Sequence, residues 1–500
     1  MKQQLFLVFF ALAIRHSQAQ SSYVAAVVEF YSLGGTFRQN IGKYEDLIAD
    51  AKSQAAEIIV FPEYGLTTTA VSQSRSLCIN VGQEVPALDS NPCLDFNNDT
   101  INTEALKRLS CAARNNSIYV VANLIERQFC GPQCAQDNYL IYNSNVAFDA
   151  NGTLVARYRK FNLYGEPALN TTAETDIAVF TTSFGATFGT FTCMDLLFYN
   201  PSVRLVREFG ATDIAFPTAW FSELPYLTAV QGQSAWALGL GVNFLGSGYN
   251  HPAVGNSGSG IYSGEKGEIV SLMAQQSGTT LLVATVPLNT RRQSRQSRRA
   301  KRGAAPPAAF DLLLKNDNLR DYTSAALSAE IGANLTLTHC QADLCCTVDY
   351  ELESVDAAGE FNYRLVVIDG IVTHDGGHYV NREQVCSVIA CAGANTTSCS
   401  DDLEFSTYSA STVFKSLSVS GNFSTDLLQP NTLLVPSLAV LRPTEDYNFE
   451  TNSAASVSQM GLTKSISNLH TFGLFAHDFE PPTASEVNTE GLNQEAPALL

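Results

Sequence analysis

The chain has 500 residues and a formal net charge of −18, with 45% hydrophobic and 16% charged residues. This length exceeds one ordinary domain, and the hydrophobic content is typical of a protein with a large buried core rather than a disordered one. The acidic balance excludes nucleic acid as an expected partner, because contacts to phosphates need a basic surface. Twelve cysteines are many for a reducing compartment and favour an oxidising one.

The N-terminal segment, residues 1–19, has the pattern of a cleavable secretory signal peptide. One lysine precedes a short apolar stretch, and small residues occupy the positions up to Ala19 that a signal peptidase recognises. No later stretch reaches about 18 uninterrupted apolar residues, so the sequence predicts no transmembrane helix. The C-terminal residues lack the apolar tail of a lipid-anchor signal. We therefore expect a secreted, extracellular protein.

Acceptor triplets for N-glycosylation agree with a secretory route. They begin at seven asparagines: Asn98, Asn115, Asn151, Asn170, Asn334, Asn395 and Asn422. Such triplets are common by chance, but together with a secretory signal they predict a glycosylated surface.

Between residues 20 and 290, short apolar strands alternate with amphipathic helices. The pattern predicts strands at residues 24–28, 58–61, 118–124, 140–148 and 190–192, and helices at residues 44–55 and 104–115. This alternation is typical of an α/β domain whose strands are largely buried.

A basic run at residues 291–302, RRQSRQSRRAKR, divides the chain. Seven of its twelve residues are basic, and such a run cannot pack into a core, so we expect an exposed linker. In a secreted chain, Arg302 also ends a plausible site for a processing protease. A cleaved and an uncut linker both fit the sequence.

The residues after the linker carry the acidity of the chain. Residues 303–500 contain 7 basic and 25 acidic side chains, whereas residues 1–302 contain 23 of each. Segments such as residues 363–371 and 411–420 have the composition of strands, and helical periodicity is weak. We expect a β-rich domain at residues 303–477 and an acidic, disordered tail at residues 478–500.

Three segments of the α/β part share one pattern, a strand that ends near a reactive side chain. Glu63 lies in FPEYG, Lys160 in YRKFNLYGE and Cys193 in FTCMDLLF. Because α/β proteins tend to keep their sites at the ends of strands, these side chains are candidates for one site. Taken singly, each has another explanation: a solvated turn carboxylate, an exposed basic face, and a structural or disulfide-bonded cysteine.

Together, and in this order and spacing, the three motifs resemble the Glu-Lys-Cys signatures of the nitrilase superfamily, and most closely its secreted vanin/biotinidase branch. The resemblance covers residues 22–290 well and is looser after the linker, where that branch carries a second domain. It implies a carbon–nitrogen hydrolase domain at residues 20–290 with the four-layer αββα sandwich of the nitrilase type. A smaller, β-rich, disulfide-bonded domain of the vanin type is implied to follow.

The resemblance also implies a mechanism of amide hydrolysis. Cys193 would attack the amide carbonyl to form a thioester, and Glu63 would take the thiol proton and then activate water. Lys160 and the backbone N–H of Met194 would stabilise the oxyanion. Glu166 matches a supporting carboxylate of some relatives, and a capping or surface glutamate explains it equally well. The reaction needs no metal and no organic cofactor.

The substrate implied by the resemblance is a small-molecule amide. Likeness to the vanins favours pantetheine, which is cleaved to pantothenate and cysteamine. Biotin amides such as biocytin are the alternative, because the spacing of Tyr164, Gly165 and Glu166 is closer to the biotinidases. A hypothesis of another class is a catalytically inactive secreted binding glycoprotein on the same fold, against which the complete triad argues. Trp220 and His251 are expected to line the substrate pocket, and both also fit a core position.

Cysteine parity gives an independent expectation. If Cys193 is free, eleven cysteines remain, so at least one more thiol is unpaired. We expect that thiol to be Cys111, on the apolar side of the predicted helix at residues 104–115. The other N-terminal cysteines are then expected to form local pairs: Cys78 with Cys93, and Cys130 with Cys134. The last six would form three bridges, for which fifteen connectivities are open.

Overall fold

The structure is a computed structural model of the chain. It describes the following residues: 20–32, 34–96, 100–134, 137–289, 312–356, 361–374, 379–400, 411–425, 427–452 and 457–479. The predicted signal peptide, the basic linker, Asn98 and the acidic tail beyond residue 479 lie outside these residues.

The α-helices of the described residues all precede residue 241. They are α1 (Phe37–Ser53), α2 (Arg75–Val81), α3 (Pro92–Asp95), α4 (Glu104–Asn116), α5 (Arg204–Arg207) and α6 (Ala229–Leu240). Helix α1 begins earlier than the predicted helix at residues 44–55 because Thr36 and Gln39 form a capping box. The Thr36 hydroxyl accepts from the Gln39 N–H at 3.3 Å, and the Gln39 side chain accepts from the Thr36 N–H at 2.8 Å.

The described residues of the N-terminal part form thirteen strands. They are β1 (Ser22–Glu29), β2 (Ile58–Val60), β3 (Tyr119–Phe129), β4 (Tyr139–Phe148), β5 (Leu154–Arg159), β6 (Val179–Thr181), β7 (Thr187–Thr190), β8 (Asp213–Thr218), β9 (Glu223–Leu224), β10 (Asn243–Gly248), β11 (Ser259–Ser263), β12 (Gly267–Leu272) and β13 (Thr280–Pro287). Twelve of them form two six-stranded sheets, in the orders β13-β1-β2-β3-β4-β5 and β12-β11-β10-β8-β7-β6. The central neighbours β1, β2 and β3 run parallel, as do β7, β8 and β10.

The two sheets pack face to face between layers of helix. Val27 and Val60 of the first sheet lie in one core with Phe188 of the second, whereas Val28 and Ile59 point the other way, toward a separate core shared with α1 and α4. This division follows from the period of two along a strand, which sends successive side chains to opposite faces. Helix α6 packs on the outer side of the second sheet. The four layers confirm the predicted αββα sandwich.

The C-terminal part is built of strands. They are β14 (Lys315–Asn316), β15 (Thr323–Ala326), β16 (Leu335–Gln341), β17 (Leu344–Ser354), β18 (Asn362–His374), β19 (Tyr379–Cys391), β20 (Val413–Gly421), β21 (Leu428–Leu434), β22 (Tyr447–Asn452), β23 (Val457–Leu462), β24 (Ile466–Ser467) and β25 (Leu469–Asp478). One sheet has the order β15-β18-β19-β25-β21, and the other contains β16-β17-β20-β23-β22 with β24 beside β20. This part is β-rich, as predicted.

Three disulfides stabilise the C-terminal part, as the count of its cysteines predicted. They are Cys340–Cys345, Cys346–Cys386 and Cys391–Cys399. The second bridge joins β17 to β19 and so links the two sheets covalently.

The N-terminal cysteines pair differently from the prediction, except for Cys130–Cys134, which is confirmed. Cys111 is bonded to Cys93, and the two free, buried thiols are Cys78 and Cys193. The reason is that α3 packs on α4, where the Cys93 N–H donates to Ser110 Oγ at 3.1 Å. Cys111 is only half-buried and lies at the edge of the α4 face that meets α3.

The two parts of the chain contact each other through α6 and the β9 segment. Gln231 Nε2 donates to Asn431 Oδ1 at 2.9 Å, and Asn431 Nδ2 donates to the Tyr226 carbonyl at 2.8 Å. Strand β14 pairs in parallel with β9, so the C-terminal part contributes one strand of a two-stranded sheet with the N-terminal part. Over the described ranges, no helix is both long and apolar enough to cross a membrane.

Candidate active site

Glu63 lies in the turn that follows β2, between the ends of its parallel neighbours β1 and β3. Its side chain is 1% exposed. The next residue, Tyr64, has a φ of +58° and donates its N–H to Asn123 Oδ1 at 3.0 Å, which fixes the course of the turn. The C-terminal end of these parallel strands therefore holds a buried carboxylate, whereas a glutamate in a turn is usually solvated.

Both oxygens of Glu63 accept hydrogen bonds from groups on other elements. Oε1 accepts from Lys160 Nζ at 2.9 Å and from Asn143 Nδ2 at 2.7 Å, and Oε2 accepts from the Ala219 N–H at 2.9 Å. Burial raises the pKa of the Glu63 carboxyl above its usual value, and Lys160 opposes that shift. The carboxylate is thus fixed in position and more basic than an ordinary glutamate, which suits a group that must take up a proton.

Lys160 follows β5 directly and is 2% exposed. Its Nζ donates to Glu63 Oε1 at 2.9 Å and to Glu166 Oε2 at 2.8 Å. Burial acts to lower the pKa of the Lys160 ammonium, but the two carboxylates outweigh it and raise the pKa well above the usual value. Lys160 is therefore a permanent buried cation held by two anions.

Glu166 is buried in the same network and is not a surface residue. Its Oε1 accepts from Asn143 Nδ2 at 2.9 Å and from the Tyr64 hydroxyl. Its Oε2 accepts from Lys160 and, at 2.9 Å, from the Tyr164 N–H. Glu166 and Glu63 thus hold the ammonium of Lys160 together.

Three asparagines that the sequence analysis missed hold this network together. Asn123 Nδ2 donates to Asn143 Oδ1 at 2.5 Å and to Asn145 Oδ1 at 3.0 Å, and Asn145 Nδ2 donates to Thr190 Oγ1 at 2.9 Å. Thr190 ends β7 in the opposite sheet, so the asparagines connect the two sheets beside the site. Polar residues at alternate positions of the otherwise apolar strand β4 were the signal that would have found two of them.

Cys193 lies three residues beyond the end of β7, at the start of a single 3₁₀ turn, Cys193–Leu197. It is 8% exposed and has a φ of +48°, which is uncommon for a residue with a side chain. Met194 is the second residue of the turn. The first N–H groups of a helical turn have no acceptor within it, so the Met194 N–H is not needed for the turn itself.

The Cys193 thiol lies in the field of the buried charges. Burial raises its pKa above the usual value, Glu63 raises it further, and Lys160 opposes both. Glu63, Lys160 and Cys193, which the sequence placed on three separate strand ends, are therefore brought together. A raised pKa favours the neutral thiol, so an attack by its sulfur has to be coupled to loss of its proton.

Asp195, also missed by the sequence analysis, ties the Cys193 turn to the Lys160 segment. Its Oδ2 accepts from the Tyr158 hydroxyl at 2.7 Å and from the Thr192 N–H at 3.1 Å, and its Oδ1 accepts from the Asn162 N–H at 2.9 Å. Burial raises the pKa of Asp195 to about 6. These bonds set the position of the nucleophile candidate relative to the cation.

The two pocket candidates lie beside the segment that binds Glu63. Trp220 follows Ala219, is 8% exposed, and donates its Nε1–H to the Leu227 carbonyl at 2.8 Å. His251 is half-buried and donates its N–H to the Asn256 carbonyl at 2.8 Å, and Asn256 Nδ2 in turn donates to the Ala219 carbonyl at 2.8 Å. Burial lowers the pKa of His251. Trp220 thus directly follows the residue that binds Glu63, whereas His251 is connected to that residue only through Asn256.

Five of the predicted glycosylation asparagines are exposed: Asn115, Asn151, Asn334, Asn395 and Asn422. Asn170 is half-buried, and its Oδ1 accepts from Arg75 Nη1 at 3.0 Å and from the Ile141 N–H at 2.9 Å.

Comparison with known proteins gives two family matches. The carbon-nitrogen hydrolase family matches residues 24–296, and the vanin C-terminal domain matches residues 312–482. The chain is 36% identical to vanin-like protein 1 of Drosophila melanogaster, over 94% of this chain and 88% of that protein. It is 37% identical to the pantetheinase of Homo sapiens, over 79% of this chain and 76% of that protein. It is 34% identical to the pantetheinase of Bos taurus, over 91% of this chain and 87% of that protein.

Among solved structures, an amidase from Nesterenkonia sp. superimposes on this chain with a TM-score of 0.41 and 22% sequence identity. The match covers 54% of this chain and 91% of the amidase chain. The match to the hydrolase family and the extent of the similarity to the vanin-like proteins and pantetheinases are what establish the family. The chain belongs to the carbon–nitrogen hydrolase family, in its vanin branch, and is a hydrolase of carbon–nitrogen bonds in amides other than peptides.

Proposed function

We propose that this protein is a secreted amidase that hydrolyses pantetheine to pantothenate and cysteamine through a thioester on Cys193. The observation that carries the proposal is the buried ammonium of Lys160, held 2.9 Å from Glu63 and 2.8 Å from Glu166, in whose field the Cys193 thiol lies. Pantetheine is proposed as the substrate because relatives in Homo sapiens and Bos taurus are named pantetheinase.

In the first half of the reaction, the Cys193 sulfur attacks the amide carbonyl carbon while its proton passes to Glu63. The raised pKa of Glu63, caused by burial, favours that transfer. Negative charge develops on the carbonyl oxygen. Lys160 has three N–H donors and uses two on Glu63 and Glu166, so the third is available to this oxygen, together with the Met194 N–H. When the carbon–nitrogen bond breaks, Glu63 returns the proton to the amine, which leaves as cysteamine.

In the second half, water attacks the thioester that joins the acyl group to Cys193. Glu63 takes a proton from the water and returns it to the sulfur when the carbon–sulfur bond breaks. The acid is released as pantothenate and the thiol is restored, so neither an oxidant nor a cofactor is consumed.

Supporting roles follow from the contacts around these groups. Glu166 positions Lys160, because its carboxylate binds the ammonium that also donates to Glu63. Trp220 and His251 are proposed to line the substrate pocket. Trp220 directly follows Ala219, whose N–H binds Glu63. The backbone N–H of His251 donates to Asn256, and Asn256 in turn donates to the Ala219 carbonyl.

We also propose that the protein is extracellular and glycosylated. Five disulfides among the described residues support an oxidising compartment. Exposure of five acceptor asparagines supports glycosylation. Expression in a secreting eukaryotic cell tests both points: the protein is expected in the medium, with a gel mobility that increases after enzymatic removal of N-glycans.

An amide panel tests the proposed activity. Purified protein is assayed with pantetheine and biocytin, and we expect release of cysteamine from pantetheine and a much slower reaction with biocytin. Cys193→Ala is expected to lower the rate by about 10⁴-fold or more, since it removes the nucleophile. Cys78→Ala is the matched control, because it deletes the other buried free thiol and is expected to retain the rate.

The other outcomes separate the alternatives. Faster turnover of biocytin would assign the protein to the biotinidases. Absence of turnover with either amide or close analogues, in a protein whose circular dichroism shows the folded state, would favour the binding glycoprotein.

A further inference from the structure

A buried cluster of carboxyl and imidazole groups lies where the two parts of the chain meet. Glu223 begins β9, Asp317 follows β14, which pairs with β9, and His374 ends β18. One donor atom of each residue lies within 4.8 Å of the others. Glu223 and Asp317 are 7% and 4% exposed, and His374 is fully buried. The cluster is separate from the Glu63 network, which it does not contact through any hydrogen bond of the described residues.

Two oxygens of this cluster lack a hydrogen-bond partner within the described part of the chain: Glu223 Oε2 and Asp317 Oδ2. Buried polar atoms are nearly always partnered, so two unpartnered carboxylate oxygens in one cluster need an explanation. A third carboxylate, Glu383, approaches the same imidazole, and its Oε1 also lies 3.4 Å from His477 Nε2.

Each ring nitrogen of His374 faces a carboxylate oxygen. Its Nε2 lies 2.6 Å from Glu383 Oε1, and Glu383 Oε2 accepts from the Tyr322 hydroxyl at 2.8 Å. A histidine that binds a metal through one ring nitrogen almost always donates its other N–H to a carboxylate in this way. The second nitrogen, Nδ1, lies 2.9 Å from Asp317 Oδ1. An ion bound to both atoms would take the place of the proton between them.

We infer from this geometry that Glu223, Asp317 and His374 bind one divalent transition-metal ion. The ligands are His374 Nδ1 and one or more oxygens of each carboxylate, a donor set of the kind that Zn²⁺ accepts, with water completing the coordination. Zinc ligands lie about 2.0–2.2 Å from the ion, so the three donors need to converge by roughly 1 Å. Because Glu223 belongs to the N-terminal part and the other two ligands to the C-terminal part, the ion fastens β14 and β18 to β9.

Metal content and thermal unfolding of the full-length protein test this site. Protein is incubated with ZnCl₂ and dialysed against metal-free buffer. Inductively coupled plasma mass spectrometry is then expected to find about one zinc ion per chain. EDTA is expected to lower the midpoint of thermal unfolding, and ZnCl₂ to restore it. Glu223→Gln, which changes one ligand oxygen to an amide, is expected to retain no zinc and to be insensitive to EDTA.

Glu268→Gln is the matched control. Glu268 also binds across the junction, to Arg442 Nε at 3.2 Å, but it lies outside the cluster. This variant is expected to retain zinc and the EDTA response of the wild type.

Three results would overturn the assignment. The wild type could retain less than a tenth of an equivalent of zinc with a midpoint that neither EDTA nor ZnCl₂ moves, a result that needs no variant to fold. Glu223→Gln could bind zinc as the wild type does. CaCl₂ could restore the midpoint as well as ZnCl₂ does, which would contradict a transition-metal site.

Discussion

Replacing Lys160 by methionine isolates the contribution of the buried ammonium, because methionine preserves most of the volume and removes the charge. Lys160 Nζ lies 2.9 Å from Glu63 Oε1 and 2.8 Å from Glu166 Oε2, and the side chains are at most 3% exposed. Lys160→Met leaves two buried carboxylates with no cation between them. Removing one member of a buried ion pair costs about 3–5 kcal/mol. We expect the free energy of unfolding to fall by about that amount at pH 7.5.

The loss is expected to shrink as the pH falls. The pKa of Glu63 is already raised by burial, with Lys160 opposing, so removing Lys160 raises it further. A carboxyl whose pKa is higher in the folded than in the unfolded state binds its proton in the folded state first, and folding is then favoured as the pH decreases. Urea unfolding followed by circular dichroism at pH 7.5 and pH 5 measures both effects.

Lys415→Met is the matched control for this experiment. Lys415 Nζ lies 2.7 Å from Glu351 Oε1, but Lys415 is 57% exposed, so solvent screens the pair. The control is expected to unfold at the same urea concentration as the wild type. An unchanged urea midpoint for Lys160→Met at pH 7.5 would refute the argument that Lys160 compensates the two carboxylates.

Two further predictions concern the thiols and the pH profile. Alkylation of denatured, unreduced protein is expected to label two cysteines, Cys78 and Cys193; a label on Cys111 would contradict the Cys93–Cys111 bridge. Glu166→Gln removes a charge that, after burial, contributes to the raised pKa of Glu63. The acid limb of kcat/KM is therefore expected to move to lower pH in that variant, and a limb that stays or moves to higher pH would be evidence against Glu63 as the base.

The layers of the fold and the three strand-end residues were predictable because they depend on local pattern. Apolar runs such as residues 58–61 mark buried strands, and α/β proteins tend to keep their sites at the ends of strands. Only the structure shows that the ends of β2 and β5 in one sheet meet the end of β7 in the other. The spacing of the motifs around Glu63, Lys160 and Cys193 then added the family resemblance. The helix at residues 104–115 was found almost to its bounds for the same reason, since α4 spans Glu104–Asn116.

What the sequence analysis missed depends on register and on contacts across the fold. Asn143 binds both Glu63 and Glu166, but nothing local to β4 indicates which strand and turn it faces. Cys111 was assigned to the wrong face because helical periodicity does not show that α3 packs on α4. The donors Glu223 and His374 belong to different parts of the chain, and only the pairing of β14 with β9 brings them together.

Trapping the acyl group tests the central claim most directly. Enzyme mixed with saturating pantetheine is quenched in acid within a single turnover and mapped by peptide mass spectrometry. The proposed mechanism predicts a pantothenoyl group on the peptide that contains Cys193, its disappearance as pantothenate is released, and none on the peptide that contains Cys78. Steady hydrolysis with Cys193 unmodified throughout, or an acyl group on Cys78, would contradict it.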